Sequence, residues 1–359
     1  MVYFNECKAS PKWNFSSVDD IPDTTFYFEW EHLMYAILLP FVFLFAGISN
    51  SLFLIVVARV QFMRTTTNVY LANLAVSDMC YILGTTVFFC VRYYASEIRH
   101  DCPMTVAMGC YTVYFLLGAF FYTSMIMVSL VSLERYLAIC HPLRHLKIKS
   151  KGRTAKIIIV GWVLGILSSI MTSLFYLDWN TICAIWPVEL KDKRYPNTFN
   201  ICRFGDDSAT YLSVVIITSA VWISTSICNG FFYANLLISV RNVDPDLALT
   251  NANKNKNQIT LILVINGIIF IACTTMYFIS FIIVAVGKNN PNTSFQLTPL
   301  QEVVWFWMMY LVTFVNSSVH SVVYSIASQQ YRKAFIITLT CQSVRTCQSI
   351  RRDTPTTTI

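Results

Sequence analysis

The sequence predicts an all-α membrane protein built as a bundle of seven transmembrane helices. Only 13% of the 359 residues are charged and 55% are hydrophobic, with a mean hydropathy of +0.55, whereas soluble domains carry about a quarter charged residues. Six runs of 21 residues or more hold no charged side chain, and about 20 apolar residues of helix cross a bilayer core. A transmembrane β-barrel is excluded because it would show alternating segments of about ten residues.

The seven spans lie where charged residues are missing from the chain. Six contain no Asp, Glu, Lys or Arg, at residues 32–58, 102–133, 157–177, 208–240, 257–287 and 303–331. The second span in chain order, residues 68–91, is apolar except for Asp78 at its middle. This pattern predicts an N-terminal segment (1–31), a seven-helix domain (32–331), an amphipathic eighth helix (329–340) and a polar tail (341–359).

The loops between the spans differ in charge on the two sides of the membrane. With seven spans, one side carries 17 of the 26 basic residues against four acidic ones, and the other side is net acidic. By the positive-inside rule the basic side is cytoplasmic, so the N-terminus is predicted to lie outside the cell and the C-terminus in the cytoplasm. The first 31 residues have no apolar core of a signal peptide. We therefore expect the first span to act as the signal anchor.

Five of the twelve cysteines fall on the predicted outer side, where disulfides persist. They are Cys7, Cys102, Cys110, Cys183 and Cys202. One disulfide is expected between Cys110, near the outer end of the third span, and the long loop 178–207. Cys202 is favoured as its partner, and Cys183 stays open as the alternative.

Other modification sites are predicted by short local patterns. Asn14 and Asn292 begin glycosylation sequons on the predicted outer side. Cys341 and Cys347 follow the basic amphipathic stretch beneath the membrane, where S-palmitoylation is as reasonable an expectation as a free thiol.

Short motifs in register along the spans identify a family. The third span ends in Glu134-Arg135-Tyr136, followed by the letters LAICHPL at 137–143. Matching positions recur through the other spans: Asn50, NLAVSD at 73–78, Cys110, Trp162, Tyr233, Phe270, Cys273, Asn316, Ser317, Tyr324 and YRKAF at 331–335. Together they resemble the rhodopsin-like, class A, G-protein-coupled receptors, which implies a receptor that binds an extracellular ligand and activates a heterotrimeric G-protein.

The resemblance implies roles for residues near the cytoplasmic side. Glu134, Arg135, Tyr136, Tyr233, Phe270 and Tyr324 match positions used in G-protein coupling and activation. Glu134 and Arg135 are expected to form a charge pair that holds an inactive state until the helices separate. Arrestin and membrane lipids are further expected partners.

A polar core is implied in the middle of the bundle. An ionisable group at mid-membrane is by default functional, and in the family the carboxylate matching Asp78 binds sodium. The core set is Asn50, Asp78, Ser124, Asn316, Ser317 and His320. His320 replaces the usual Asn, and a charged imidazole there would take the place of sodium. A neutral, hydrogen-bonded His320 is the alternative, so no metal is assigned.

The departures from the family pattern concern proline. No proline lies inside the fourth to seventh spans. Thr225 stands at the usual proline position of the fifth span. The Cys-Trp-x-Pro pattern of the sixth span reads CTTM at 273–276, and the Asn-Pro-x-x-Tyr pattern of the seventh reads HSVVY at 320–324. Because proline kinks a helix by deleting a backbone hydrogen bond, the hinges of this chain are expected to differ from the usual ones.

The predicted ligand site is an aromatic cavity near the outer side. Leu117 stands where receptors for biogenic amines carry an aspartate, so an amine ligand is not expected. Phe314 stands near the place where opsins carry the lysine that binds retinal, so retinal is not expected either. The candidate ligand-binding residues are Phe88, Phe89, Arg92, Leu117, Phe121, Tyr277, Phe281, Phe306 and Tyr310. The loop 178–207 is long enough for a hairpin lid, as in peptide receptors. The run CHPLR at 140–144 and the two cysteines of this loop resemble the neuromedin U and thyrotropin-releasing-hormone receptor group, which favours a neuropeptide ligand.

Two other functional classes are weighed against a peptide receptor. A divergent chemosensory receptor for a small apolar compound fits the same cavity. A transporter or channel would need internal repeats and broken helices, and neither is evident. Enzymatic activity, a cofactor and nucleic-acid binding are not expected, because the sequence has no metal-ligand cluster, no nucleophile with a base and no phosphate-binding glycine loop.

Overall fold

The computed structural model describes residues 12–193, 195–204, 208–241, 261, 264–279, 282–283, 298–327 and 329–340. Eight helices lie in the order of the predicted spans: α1 (Glu29–Arg59), α2 (Thr66–Ala95), α3 (Ala107–Cys140), α4 (Lys151–Tyr176), α5 (Ser208–Arg241), α6 (Val264–Ile279), α7 (Pro299–Ala327) and α8 (Gln329–Thr340). A short linker helix, Pro142–Ile148, joins α3 to α4. Within these residues, α1 to α5 are long and apolar enough to cross a membrane.

The helices extend past the charge-free runs at several ends. The α3 helix continues through Glu134 and Arg135 to Cys140, and α4 begins with three basic residues in its first turns. The α3 helix starts at Ala107 rather than at 102, because residues 102–106 belong to a loop. Charged residues therefore mark where a helix leaves the bilayer, and the helix itself ends later. A helix is present at 329–340 as expected, while its placement along the membrane surface stays a prediction.

The α1 helix contains a local widening before its proline. Residues Met34–Leu38 form a π-helical turn, and Pro40 follows in the first turn of the regular α-helix Leu39–Arg59. Proline has no N–H to donate and its ring clashes with the preceding turn. The π turn accommodates that defect without breaking the span.

A small sheet covers one end of the bundle. Strands β1 (Lys12–Asn14), β2 (Leu177–Ile185) and β3 (Thr198–Phe204) lie in that order, with β1 parallel and β3 antiparallel to β2. The β2–β3 hairpin is the lid expected in loop 178–207, whereas the N-terminal strand β1 was not foreseen. Trp13 and Phe15 pack with Trp186 and Phe199 in a separate apolar cluster. We call this end of the bundle the sheet end, and the other the far end.

The closest helix pairing joins α3 to α4 through small residues. A Cβ atom on Gly165 would lie 2.8 Å from the backbone nitrogen of Thr123 and 3.0 Å from its Cα atom. Ser169, one turn further along α4, donates a hydrogen bond of 2.7 Å to the carbonyl of Phe115. In a bilayer, helices associate by such close packing because lipid tails are as apolar as leucine. Gly165 thus sets the spacing of α3 and α4.

We expect Gly165→Ala to destabilise the protein, because the added methyl meets backbone atoms that cannot rotate away. Overpacking of this kind costs about 1–3 kcal/mol, which would lower the apparent melting temperature of the purified protein by about 3 °C or more. Gly152→Ala is the matched control on the same helix, since nothing lies within 4 Å of its added Cβ atom. Equal melting temperatures for the two variants would contradict the assigned spacing role.

Candidate ligand cavity and signalling end

An aromatic cavity of about 120 Å³ opens between the helices beneath the sheet. Its walls are Tyr81, Thr85, Phe88, Phe89, Tyr114, Leu117, Gly118, Phe121, Tyr122, Thr172, Ser173, Val214, Thr218, Tyr277 and Tyr310. None of these lining residues is charged, and hydroxyl groups supply the polar contacts. The space is close to that of an engineered cavity of about 150 Å³ that binds benzene. It therefore suits one neutral apolar or aromatic group.

Most of the predicted ligand-binding residues meet in this cavity. Six line it: Phe88, Phe89, Leu117, Phe121, Tyr277 and Tyr310. Phe306 does not line the cavity but packs against two residues that do. Its ring centroid lies 5.6 Å from that of Phe89 and 4.6 Å from that of Tyr310. Phe281 lies outside the described residues. Tyr81 and Thr85 were not predicted, although they lie two turns and one turn, respectively, from Phe88 on α2 and share its face.

Arg92 is the exception among the predicted cavity residues. Its guanidinium donates hydrogen bonds to the carbonyl oxygens of Asp101 (3.3 Å) and Arg99 (2.6 Å), and it lies 5.7 Å from the ring centroid of Phe88. Because Arg92 is close to the end of α2, its long side chain reaches the following loop. Arg92 therefore bonds the α2–α3 loop and is not among the residues that line the cavity, and its part in ligand binding stays a prediction.

A disulfide connects α3 to the lid, as expected from the sequence. Cys110 is bonded to Cys202 of β3, and the hydroxyl of Tyr114 donates to the carbonyl of Cys202 at 3.3 Å. Cys183 is also disulfide-bonded. Cys102 stays a free thiol, and its backbone N–H donates to Asn200 at 2.7 Å. The lid is thus held to α3 by a covalent bond and to the α2–α3 loop by hydrogen bonds.

A buried ion pair links three segments at the sheet end. Glu31 of α1 is 1% exposed, and its Oε2 atom lies 2.5 Å from Nη2 of Arg99 in the α2–α3 loop. Trp307 of α7 donates its indole N–H to Oε1 of Glu31 at 2.9 Å. The Arg99 guanidinium also donates to the carbonyl of Phe26 at 2.7 Å and lies 4.9 Å from the ring centroid of Phe28. Glu31 therefore joins the N-terminal region, the loop and α7.

Burial works against the charge of Arg99, since it lowers the pKa of the guanidinium, while the carboxylate of Glu31 raises that pKa. A buried charge is tolerated only with a partner. The sequence analysis did not find Glu31, Arg99 and Trp307, because they are far apart in the chain and match no motif.

The polar core is assembled around Asp78. Ser124 of α3 donates a hydrogen bond of 2.5 Å to Oδ1 of Asp78, and the hydroxyl of Ser317 on α7 also bonds this carboxyl group. Asn50 of α1 donates to the carbonyl of Ser317 at 3.3 Å. Asn316 is buried beside them, with 4% of its surface exposed. The side chain of His320 lies outside the described residues, so its pairing with Asp78 stays a prediction.

At the far end, Glu134 contacts the linker helix. Its Oε1 atom lies 3.6 Å from Nε2 of His145. The expected charge pair of Glu134 with Arg135 stays a prediction. The hydroxyl of Tyr136 lies 2.9 Å from Nε2 of His141. The side chain of Tyr324 is not among those described.

Two other predicted signalling residues connect helices in this half of the bundle. The hydroxyl oxygens of Tyr233 on α5 and Ser132 on α3 are 2.7 Å apart. Phe270 of α6 is 1% exposed and belongs to the main apolar core. Tyr331, at the start of α8, donates to Oδ1 of Asn68 on α2 at 2.5 Å. These contacts join α5 to α3 and α8 to α2, while Phe270 packs α6 into the shared apolar core.

Threonine hydroxyls bond backbone carbonyls at or near the places where the family usually has proline in the fifth and sixth spans. Thr225 donates to the carbonyl of Val221 at 3.0 Å, within the continuous 34-residue helix α5. Thr274 and Thr275 of α6 likewise donate to the carbonyls of Phe270 (2.7 Å) and Ile271 (2.6 Å). Such back-bonding bends a helix slightly without deleting a backbone hydrogen bond. The helices therefore lack proline hinges at these positions.

The fold and the two sites define a seven-helix membrane receptor, and comparison with known proteins shows which kind. Residues 49–324 match the family described as 7 transmembrane receptor (rhodopsin family). The chain belongs to that family, so it is a G-protein-coupled receptor in a multi-pass membrane fold, and the transporter, channel and enzyme readings are excluded.

The similar proteins are receptors for peptide hormones. Galanin receptor 2a of Danio rerio is 27% identical over 85% of this chain and 77% of its own length. Somatostatin receptor type 5 of Rattus norvegicus is 26% identical over 84% and 77%. Growth hormone secretagogue receptor type 1 of Rattus norvegicus is 26% identical over 80% and 76%. The prediction of a class A peptide receptor is confirmed, with relatives from other peptide groups than the two that the motifs resemble.

We expect Glu31→Gln to weaken the sheet end strongly, because it leaves the buried guanidinium of Arg99 without a counter-charge. Breaking a buried pair costs about 3–5 kcal/mol, so the variant should show a large fall in surface expression and in the melting temperature of the purified receptor. Glu29→Gln is the control, since Glu29 lies on the same helix and is exposed. The role assigned to Glu31 is refuted if both variants behave like the wild type.

Proposed function

We propose that this receptor sits in the plasma membrane with its sheet end outside the cell, and that it binds an extracellular peptide there. The Cys110–Cys202 disulfide supports this orientation, because disulfides persist in the oxidising extracellular compartment. The basic loops and the C-terminal region then face the cytoplasm, as the positive-inside rule requires. The side chain of Asn14 is exposed beside the sheet, where its sequon is available for glycosylation.

The observation that carries the ligand proposal is the small aromatic cavity beneath a tethered lid. About 120 Å³ is too little for a whole peptide but enough for one of its side chains. A peptide ligand would therefore rest on the lid and the N-terminal strand and insert one neutral apolar or aromatic residue between α2, α3, α5 and α7. Carboxylates exposed near the sheet, including Asp19, Asp20, Asp23 and Glu29, would steer a basic peptide towards it.

The far end is where we place the heterotrimeric G-protein, with arrestin as a second cytoplasmic partner. Arg135 and Tyr136 lie near the end of α3, and Tyr233 of α5 is hydrogen-bonded to Ser132, about one turn before Arg135. The basic residues of the linker helix and of α8 would meet the anionic lipid of the inner leaflet. Palmitoylation of Cys341 and Cys347 would add a second anchor, although both cysteines lie outside the described residues.

The ligand proposal is tested by expressing the receptor and measuring cAMP and calcium responses to galanin, somatostatin and a set of short amidated peptides. The peptide that gives a response is then applied to Leu117→Trp, whose larger side chain fills the cavity. We expect its potency to fall about tenfold or more, the factor given by about 1.4 kcal/mol. Leu116→Trp is the control, because Leu116 is the next residue and is 44% exposed on the outer face of α3.

Two outcomes would contradict this assignment. An equal potency of the peptide at both tryptophan variants would show that the cavity does not receive part of the ligand. A response to small apolar compounds with no response to any peptide would support the chemosensory alternative instead.

Arg135→Ala is expected to abolish G-protein activation while leaving surface expression and peptide binding near the wild-type level. Arg135 lies one turn from the end of α3, far from the cavity. Nucleotide exchange on the G-protein measures the loss, and Arg144→Ala serves as a control because Arg144 is exposed on the linker helix. Undiminished exchange in Arg135→Ala would refute its signalling role.

A further inference from the structure

A glycine on α6 lies directly against the ring of Tyr233. A Cβ atom added to Gly267 would overlap the Cε2 and Cζ atoms and the hydroxyl oxygen of that ring. Glycine is less favourable than alanine inside a helix, so helix formation does not favour it at this place. The close approach of the ring is a packing reason for a glycine here.

The ring of Tyr233 is held in place from three helices. Its hydroxyl group is hydrogen-bonded to Ser132 of α3, with 2.7 Å between the two oxygens, and the tyrosine is 7% exposed. Leu236 of α5 and Val264 of α6 pack around it, with Ile139 and Cys140 of α3 beside them. The ring therefore fills a space that a side chain on α6 at position 267 would otherwise take.

We propose that Gly267 is a positioning residue for G-protein activation: having no side chain, it lets Tyr233 hold α3, α5 and α6 together in the closed receptor. The contact between Glu134 and His145 stays within α3 and the linker helix, so it does not hold α6. The contact of Tyr233 with Gly267 does reach α6. This role rests on the proposed binding of the G-protein at the far end.

An added methyl group at position 267 would act on the balance between a closed state, in which α6 packs against α5, and an open state, in which the two helices separate. Protein interiors are packed as densely as organic crystals, so the ring or α6 has to move. In the closed arrangement the ring is confined by Ser132 and its neighbours, and separation of α6 from α5 removes the overlap. A change that raises the free energy of the closed state alone shifts the population towards the open one.

The experiment compares Gly267→Ala with Gly230→Ala in membranes that contain a panel of Gα subunits, with no ligand present. We expect basal nucleotide exchange, normalised to surface receptor, to rise about fivefold or more in Gly267→Ala, the factor that corresponds to about 1 kcal/mol of overpacking. Gly230→Ala is the matched control on α5, since nothing lies within 4 Å of its added Cβ atom. It should keep the wild-type level.

A second pair of variants separates the overlap from a general loss of packing. In Gly267→Ala combined with Tyr233→Ala, the ring that the methyl group would meet is absent. Basal exchange should then equal that of Tyr233→Ala alone, so the effects of the two changes are not additive. Additive effects, or an unchanged or lowered basal exchange in Gly267→Ala, would overturn the proposal.

Alkylation of Cys140 provides a readout that needs no G-protein. The thiol of Cys140 lies 3.1 Å from the hydroxyl of Ser239, inside the cluster around Tyr233, so it should react faster when the helices separate. Mass spectrometry of the peptide that contains Cys140 measures its labelling rate. Faster labelling in Gly267→Ala than in Gly230→Ala supports the positioning role, and equal rates overturn it. If labelling changes while no Gα subunit responds, the assignment of the G-protein site fails instead.

Discussion

The exclusion of water from the bilayer is the constraint on which the rest of this structure depends. Backbone N–H and C=O groups there can bond only within the protein, which requires continuous helices. The sheet, whose edge strands would be intolerable in lipid, lies entirely outside the spans. Polar side chains inside the bundle follow the same requirement: Asn50, Ser124 and Thr225 each bond a carbonyl or carboxyl group of the protein.

The α3 helix contributes to every functional site described above. From the sheet end to the far end, α3 contributes the disulfide at Cys110, the cavity wall at Leu117, the bond to Asp78 at Ser124 and the bond to Tyr233 at Ser132. The 15 residues from Leu117 to Ser132 span about 22 Å at 1.5 Å per residue. A ligand group in the cavity and a G-protein at the far end would thus both act on α3.

The two ends are held closed by different chemistry. At the sheet end, charges are buried and paired, with Glu31 and Arg99 joined to Trp307 of α7. At the far end, an aromatic ring fits against a glycine, and its only polar anchor among the described residues is Ser132. A buried ion pair is costly to break, whereas a packing contact between helices changes with small displacements. The arrangement suits a receptor whose sheet end is rigid and whose far end opens.

The sequence by itself determined the seven spans and the family, because a bilayer demands long apolar helices and because Glu134-Arg135-Tyr136 and its companions recur in register. It also predicted six of the fifteen residues that line the cavity and favoured the Cys110–Cys202 disulfide. Only the tertiary structure decided which partners meet across large separations: Glu31 with Arg99, Glu134 with His145, and Gly267 with Tyr233. It also showed that the side chain of Arg92 bonds the α2–α3 loop and that β1 pairs with β2. Hydropathy and motifs describe each segment alone, while these contacts depend on the positions of several helices at once.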